Sequence, residues 1–398
     1  MDIEYISINA GQRFDAVMPE IPTNSIINKT VTGCGATYAE INAPRHSVII
    51  EPNVPVIEGK MKKHPQILGV FEGVTTEDII DFLNTNYNDG YLKIMTTPES
   101  FPKVRSAMVQ THTDMHGEWF MLFDECERTI QDAGYRGSIT LPMDDFFRCK
   151  QKAMVSATPI IPSDPRFEEN GFKILKLVPT YDSRIELTLC TTNNTVAVMR
   201  KLLKRLENET VCVFLNSTET ILSLIYALRL QGRSRVFCSE KSVRKLKQMN
   251  FTDASETLDE LAPVNFLTSR FYAAVDIKLD YKPHVILLTD VMRAPFSAVD
   301  PQTEVVQAIG RFRNGVARAY HIANTSDNLQ CLTREALERR LTGEENIYNQ
   351  IRQIQPDGED EAQARFQALN GMAYKRFVTR DGNRNHFMWD NAWTDEQI

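Results

Sequence analysis

The sequence predicts an α/β protein with two tandem domains, each a parallel sheet covered by helices on both faces, and a short C-terminal helical extension. Short apolar runs of strand length alternate with helix-forming segments, a pattern typical of parallel sheets buried on both faces. A proline-rich stretch, TPIIPSDPRFEENGFK, interrupts the alternation and is interpreted as the start of an interdomain linker. A second series of similar length follows it. The strand-like runs then stop, and polar helix-forming sequence continues to the C-terminus.

The first domain is expected over residues 1–165. Its strand-like runs are SIINKTV, HSVIIEP, YLKIMTTP, EWFMLFDE and KAMVSATP. Each run ends in small or polar residues, and helix-forming segments such as TTEDIIDFLNTNY separate several of them. This alternation of strand and helix predicts βαβ connections and hence a parallel sheet.

The second domain is expected over residues 166–330 and the extension over residues 331–398. The second series of strands reads IELTLCTT, ETVCVFLNS, SRVFCS, VNFLTSR, HVILLTD and RAYHIAN. In the extension, Phe366, Leu369, Ala373 and Phe377 recur at helical spacing. This spacing predicts one helix that packs on a domain core.

Composition restricts the class of protein. The hydrophobic fraction of 42% suits sizeable cores, and no apolar run is long enough to span a bilayer. The seven cysteines form no CxxC pair, and the N-terminus resembles no export signal, so reduced thiols and a cytoplasmic location are expected. A net charge of −7 argues against a small dedicated nucleic-acid binder, although a large acidic protein can carry a locally basic groove.

The segment NKTVTGCGATYAEI, which follows a strand-like run, is similar to a phosphate-binding loop, G-x-x-x-x-G-K-[ST]. Gly33, Gly35 and Thr37 occupy the expected positions, but Ala36 stands where the loop normally has its lysine. Backbone amides of such a loop still favour phosphate, whereas the missing charge weakens catalysis. Lys29 leaves two alternatives open: it substitutes for the lysine, or it points to solvent or pairs with an acid.

Two further motifs follow strands of the first domain. Asp124 and Glu125 end the run WFMLFDE, where one carboxylate can approach a magnesium ion and the next can orient a water. Ser156 and Thr158 end the run MVSATP. An acidic turn and a loop of small residues are the ordinary alternatives.

The second domain contains QAIGRFRNG, with Gln307, Arg311 and Arg313. A guanidinium group suits a phosphate because its fixed fork offers several donors and keeps its charge. The alternative is an exposed helix with two surface arginines.

In this order, the motifs GxG-T, DECE, SAT and QAIGRFR resemble those of superfamily 2 (DEAD/DEAH-like) helicases with a degenerate Walker A motif. The resemblance spans about residues 25–323 and implies two RecA-like domains with ATP and Mg²⁺ in the cleft between them. It implies catalytic roles for Asp124, Glu125, Gln307, Arg311 and Arg313. It implies nucleotide contacts from Lys29, Gly33, Cys34, Gly35, Ala36, Thr37 and Asp276, with Thr37 and Asp124 on the metal. Ser156 and Thr158 would couple the nucleotide site to the nucleic acid.

Other segments extend the resemblance. IEPNVPVIEGK is similar to motif Ia, TTPES to motif Ib, VFLNSTETI to motif IV and TSRFYAAVDI to motif V. The resemblance implies single-stranded DNA as partner, with RNA as the alternative. A compact core of this kind also suits a phage or mobile-element protein. The candidate contacts to nucleic-acid phosphates are Thr96, Thr97, Ser100, Ser217 and Thr268.

Departures from the helicase pattern keep two functions open. Besides Ala36, Asn314 stands where the pattern has its second arginine, and Ala274 replaces a glycine. The first function is a nucleic-acid-dependent ATPase of helicase or translocase type. The second is a catalytically impaired scaffold that binds nucleic acid or a protein partner. A dinucleotide-dependent oxidoreductase is excluded because GCGATY lacks the last glycine of GxGxxG.

Overall fold

The computed structural model describes residues 1–86, 90–273, 276–326, 331–379 and 381–397. Within these ranges the chain forms a parallel sheet of eight strands, a parallel sheet of seven strands and a C-terminal group of helices. This architecture confirms the fold class predicted from the sequence, two tandem α/β domains followed by a helical extension.

The first sheet has the strand order β1-β8-β2-β7-β6-β3-β5-β4. Its strands are β1 (Ile3–Ile8), β2 (Ser25–Asn28), β3 (Ser47–Ile50), β4 (Ile67–Val70), β5 (Lys93–Thr96), β6 (Phe120–Asp124), β7 (Gln151–Ser156) and β8 (Lys173–Pro179). The helices of this domain are α1 (Phe14–Val17), α2 (Ala36–Asn42), α3 (Val54–Lys63), α4 (Thr76–Asn86), α5 (Phe101–Gln110), α6 (Met115–Glu118), α7 (Arg128–Gln131), α8 (Met143–Arg148) and α9 (Arg166–Glu169), with a 3₁₀ turn at Gly137–Thr140.

This sheet is buried on both faces. Successive residues of β3 belong to different apolar cores: Val48 and Ile50 pack on one face and Ile49 packs on the other. Because side chains alternate along a strand, a continuous apolar run is what two covered faces require. Among the described residues, the first sheet therefore separates two hydrophobic cores.

The first domain continues beyond residue 165, where its end was expected. Strand β8 pairs in parallel with both β1 and β2, so residues 173–179 belong to the first sheet. The proline-rich stretch that was interpreted as a linker lies before this last strand and includes α9. The connection between the domains thus lies between β8 and the first strand of the second sheet.

The second sheet has the strand order β12-β11-β13-β10-β14-β15-β9. Its strands are β9 (Leu187–Thr191), β10 (Val211–Phe214), β11 (Ser234–Phe237), β12 (Ala254–Ser255), β13 (Val264–Leu267), β14 (His284–Thr289) and β15 (Arg318–Ala323). Its helices are α10 (Thr195–Arg205), α11 (Thr218–Leu228), α12 (Glu240–Gln248), α13 (Arg270–Ala273) and α14 (Glu304–Gly310), with a 3₁₀ turn at Pro295–Ser297. Asn194, Ser217 and Ser239 cap α10, α11 and α12 by accepting hydrogen bonds from backbone amides of the first turn.

The C-terminal extension packs on the first domain although it follows the second. It consists of α15 (Arg334–Gln353), α16 (Glu359–Gly371), a 3₁₀ turn at Ala373–Phe377 and α17 (His386–Gln397). Leu337, Leu341 and Phe387 are buried in the same core as Phe123 of β6. The extension therefore completes the first domain.

The single packing helix expected over 366–377 is wrong in detail. Helix α16 ends at Gly371, and Phe366 is 62% exposed. Phe377 is buried, but it lies on the 3₁₀ turn that follows. Because the helix stops between the two residues, their helical spacing does not place them on one face.

All seven cysteines are free thiols, and Cys126, Cys149, Cys212 and Cys238 are buried. Among the helices in the described ranges, none has the length and apolar character needed to cross a membrane.

Candidate active site between the two domains

A cavity of about 360 Å³ lies where the two domains meet, beside the carboxyl ends of strands β2, β3 and β6. In open parallel sheets, ligands bind outside this edge. The second domain contributes Asp276, Arg311 and Arg313 to the wall. The residues of the first domain on the wall are Lys29, Thr32, Gly33, Gly35, Ala36, Thr37, Glu51, Pro55, Val56, Gly59, Lys60, Lys63, Asp124, Glu125 and Ala157.

The loop between β2 and α2 forms one wall of the cavity. Gly33 and Gly35 have φ values of 74° and 101°, which a residue with a side chain adopts only with strain. A Cβ atom on Gly33 would also overlap the guanidinium of Arg313, so glycine permits a close approach of the second domain. The Thr32 hydroxyl donates a hydrogen bond to the Gly310 carbonyl at 3.2 Å. The loop thus contacts the second domain directly.

Within this loop, Cys34 differs from its neighbours. Its thiol packs against the apolar core that also contains Ala36, and Cys34 is absent from the cavity wall. Burial raises the pKa of this thiol, although Lys29 opposes the shift. The structure therefore brings Gly33, Gly35, Ala36 and Thr37 to the cavity but turns Cys34 away from it.

Asp124 is held by residues that follow β2. The Thr37 hydroxyl donates a hydrogen bond to Asp124 Oδ2, and Lys29 Nζ lies 3.6 Å from Asp124 Oδ1. Asp124 itself is buried, at 3% exposure. A hydroxyl and a carboxylate side by side on a cavity wall are oxygen ligands that Mg²⁺ prefers. These residues fit a magnesium site.

Glu125 faces the second domain. Its φ of 47° is unusual for a residue with a side chain and is the kind of local strain that occurs at functional sites. Gln307 Nε2 donates to Glu125 Oε2 at 3.0 Å, and Arg311 Nη2 lies 3.6 Å from Glu125 Oε1. Burial alone would raise the pKa of Glu125, but Lys29 and Arg311 hold it below its ordinary value. An ionised carboxylate at this place can accept a proton from a water molecule.

Gln307 joins three motifs. Besides Glu125, its Nε2 lies 3.3 Å from Glu127 Oε1 and 3.3 Å from Thr158 Oγ1. Arg311 donates to Gln307 Oε1 at 2.5 Å. A shift of Gln307 would therefore disturb Glu125 and Thr158 together.

Ser156 lies beneath this network. Its hydroxyl accepts a hydrogen bond from the Thr158 backbone N–H at 3.0 Å. Its carbonyl accepts one from the Lys29 N–H at 2.7 Å. The segment of Ser156 and Thr158 thus connects the loop after β2 with the glutamine of α14.

Asp276 orders the two arginines of the second domain. Arg313 donates to Asp276 Oδ1 at 2.5 Å, and Arg311 Nη1 lies 3.9 Å from the same oxygen. Burial would raise the pKa of Asp276, but these arginines keep it below its usual value. Asn314 donates to the Leu279 carbonyl at 2.5 Å and is absent from the cavity wall. Ala274 lies outside the described residues.

Several of the described ionisable residues near the cavity were not predicted from the sequence. Glu51, Lys60 and Lys63 line the wall, and the resemblance of the segment IEPNVPVIEGK to motif Ia gave neither Glu51 nor Lys60 a role. Burial, together with Asp124 and Glu125, raises the pKa of Glu51 well above its ordinary value. Burial lowers the pKa of Lys60, although Asp124 and Glu51 oppose that shift.

Glu127 is another of these residues. Burial and the nearby Glu125 raise its pKa to about 8, despite the opposing charge of Arg128. Its Oε2 atom is buried and has no hydrogen-bond partner among the described residues. In the sequence, Glu127 is the second glutamate of the DECE motif, and no role was predicted for it.

The five candidate nucleic-acid contacts lie elsewhere. Thr96, Thr97 and Ser100 are buried around the start of α5, and the Thr96 hydroxyl donates to the Thr97 carbonyl. Ser217 caps α11, and Thr268 donates to the Phe237 carbonyl at 3.4 Å. These five residues are absent from the cavity wall, and they follow the carboxyl ends of β5, β10 and β13.

No family model and no curated protein matches the chain. Among solved structures, S. cerevisiae Dbp5 bound to RNA and ADP BeF3 is 14% identical over 77% of this chain and 80% of that chain, with a TM-score of 0.48. A DEAD box protein from the hyperthermophile Methanococcus jannaschii is 14% identical over 90% and 96% of the two chains, with a TM-score of 0.39. A hypothetical ATP-dependent RNA helicase from Sulfolobus tokodaii is 13% identical over 77% and 88%, with a TM-score of 0.29.

Proposed function

We propose that this chain is a nucleic-acid-dependent NTPase of helicase or translocase type that binds ATP with Mg²⁺ in the cavity between its domains. One observation carries the proposal. A carboxylate of the first domain, Glu125, meets Gln307 and Arg311 of the second domain in a single cluster at 3.0 and 3.6 Å. A base in one domain and cationic donors in the other suit phosphoryl transfer, which depends on positioning and charge stabilisation.

Each side chain has a role in this proposal. Thr37 and Asp124 would hold a magnesium ion, which would neutralise charge on the phosphates. Glu125 accepts a proton from the attacking water, and Gln307 keeps that carboxylate in place. Arg311 and Arg313 supply donors to the phosphates, with Asp276 orienting both guanidinium groups.

Single-stranded nucleic acid is the proposed second partner. Thr97 and Ser100 lie at the N-terminus of α5, and Ser217 lies at the N-terminus of α11. Helix N-termini attract phosphate oxygens. Gln307 of the second domain contacts Glu125 and Thr158 of the first domain, so these contacts would form only when the two domains close. Closure would thus couple strand binding to the assembly of the catalytic residues.

Ala36 favours a second candidate, a helicase-like scaffold with impaired hydrolysis. This residue lines the cavity with a methyl group where a phosphate-binding loop normally presents an ammonium. Losing one electrostatic donor in a catalytic site costs about 100- to 1,000-fold in turnover. A cleft of that kind still binds nucleotide.

Phosphate release from ATP with Mg²⁺ separates these candidates. We expect turnover that rises on addition of oligo(dT) or oligo(U), the stronger activator identifying the partner. Glu125→Gln should lower turnover by about 100- to 10,000-fold, as expected for the loss of a general base, whereas the exposed control Glu169→Gln should not change it. Nucleotide binding without turnover would support the impaired scaffold, and absence of binding would refute both candidates.

A further inference from the structure

Lys29 is a buried cation in the cavity wall. Its side chain is 8% exposed, and its backbone is fixed by the hydrogen bond to the Ser156 carbonyl at the carboxyl end of β7. Lysine is rarely buried to this extent without a pairing or binding role. This placement excludes the alternative in which Lys29 points to solvent, and it shows the alternative in which Lys29 pairs with an acid, Asp124.

The ammonium of Lys29 has unused hydrogen-bonding capacity. Its nearest acidic partner is Asp124 at 3.6 Å, beyond the range of an ordinary hydrogen bond. Within the described part of the chain, Lys29 Nζ donates no hydrogen bond to a backbone or side-chain acceptor. A buried ammonium with three donors requires acceptors, and the adjoining cavity is the space from which a ligand can supply them.

We propose that Lys29 replaces the lysine missing at Ala36, and that it binds the terminal phosphates of a nucleoside triphosphate. This inference rests on the proposed function and names the residue that completes its phosphate site. Asp124 bonds Thr37 through one oxygen and lies beside Lys29 at the other, so the ammonium stands next to the proposed metal ligands. Phosphates bound to the metal would be within its reach.

Two other lysines line the cavity, but neither has this placement. Lys60 and Lys63 lie on α3, and Lys63 is exposed. Neither lies within 4 Å of a carboxylate oxygen among the described residues. Lys29 instead precedes the loop itself and faces the carboxylate that Thr37 contacts. A lysine shifted seven positions along the chain thus reaches the same cavity.

The test uses the full chain and moves the charge between the two positions. Lys29→Met should reduce ATP turnover by about 100- to 1,000-fold, as expected for the loss of one donor. The double variant Lys29→Met with Ala36→Lys should turn over ATP at least tenfold faster than Lys29→Met, because positions 29 and 36 both line this cavity. Lys62→Met, an exposed lysine on α3 that is absent from the wall, is the matched control.

Binding of inorganic tripolyphosphate with Mg²⁺, measured by calorimetry, makes the test independent of hydrolysis. Lys29→Met should weaken this binding at least tenfold, and Ala36→Lys should restore it. Tripolyphosphate binding that depends on Lys29, in a protein that does not turn over ATP, would support phosphate binding by Lys29 and contradict the hydrolytic function. Unchanged turnover and unchanged binding in Lys29→Met would contradict phosphate binding by Lys29 without contradicting the proposed function.

Two further outcomes also contradict the proposal. Loss of binding that Ala36→Lys does not repair, in a variant whose thermal unfolding matches the wild type, would show that Lys29 only positions Asp124. Loss of tripolyphosphate binding in Lys60→Met, with no loss in Lys29→Met, would show that Lys60 on α3 binds the phosphates instead.

Discussion

Replacing Arg311 by alanine removes a positive charge that the second domain places beside Glu125. The Arg311 side chain is 6% exposed and lies 3.6 Å from Glu125. At this distance and an effective dielectric constant of about 20, opposite unit charges attract by about 4 to 5 kcal/mol. Lys29 still faces Glu125, and water enters the space left by the guanidinium. We therefore expect a loss of about 100- to 1,000-fold in kcat.

The same substitution changes the pH dependence of turnover. Arg311 lowers the pKa of Glu125 in the folded protein, so its removal raises that pKa. The base is then protonated over a wider range, and the acidic limb of the pH–rate profile moves to higher pH. Steady-state phosphate release at saturating ATP and oligonucleotide measures both effects. A profile and kcat equal to those of the exposed control Arg205→Ala would refute this reasoning.

Three further predictions concern stability. Glu127 has a pKa of about 8 in the folded protein against an ordinary 4.5, so between these pH values the folded state binds a proton that the unfolded state does not. Stability therefore falls as pH rises from 4.5 to 8, by up to about 1.4 kcal/mol per pH unit. Urea unfolding of Glu127→Gln should depend less on pH, and a pH dependence equal to that of the wild type would contradict the raised pKa of Glu127. Gly33→Ala should destabilise the fold by at least about 1 kcal/mol and raise KM for ATP, because of its positive φ and the overlap with Arg313; unchanged melting and KM would contradict the geometry. Leu341→Ala should cost about 2–5 kcal/mol in the unfolding of the first domain, since α15 is part of that core, whereas exposed Phe366→Ala should cost little; equal effects would show that the extension is not part of the core.

Much of the fold could be predicted because parallel strands buried on both faces leave continuous apolar runs. Strands β3 and β6, SVII and FMLFD, are of this type. Edge strands carry a weaker signal because one side of the ladder faces solvent. Strand β1 lies at the edge and is mostly exposed, whereas β8 lies between β1 and β2 and carries two exposed lysines, Lys173 and Lys176. Because β8 directly follows the charged, proline-rich stretch, the boundary predicted at residue 165 falls before this strand.

The positions of Asp124, Glu125 and Arg311 beside the cavity were predictable because each belongs to a recognisable motif. Asp124 is the last residue of β6, Glu125 follows it, and Arg311 follows α14. The contribution of α3 was not predictable, because the sequence does not show which way a helix turns its lysines. Lys60 reaches the cavity only through the packing of α3 against the first sheet.

The direction of the Lys29 side chain was also not predictable from the sequence. The sequence left open whether Lys29 replaces the missing lysine, points to solvent or pairs with an acid. Its burial beside Asp124 excludes solvent and shows the pairing with an acid. Local spacing identified the residue, and only tertiary packing shows where its ammonium lies.

A double-mutant cycle between Glu125 and Arg311 tests most directly whether the two domains act on one substrate. Phosphate release would be measured for Glu125→Gln, for Arg311→Ala and for the double variant, with oligonucleotide at saturation. Residues in direct contact should be strongly coupled, so the double variant should lose at least tenfold less than the product of the single losses. Losses that multiply within about twofold would show independent action and contradict a shared catalytic site.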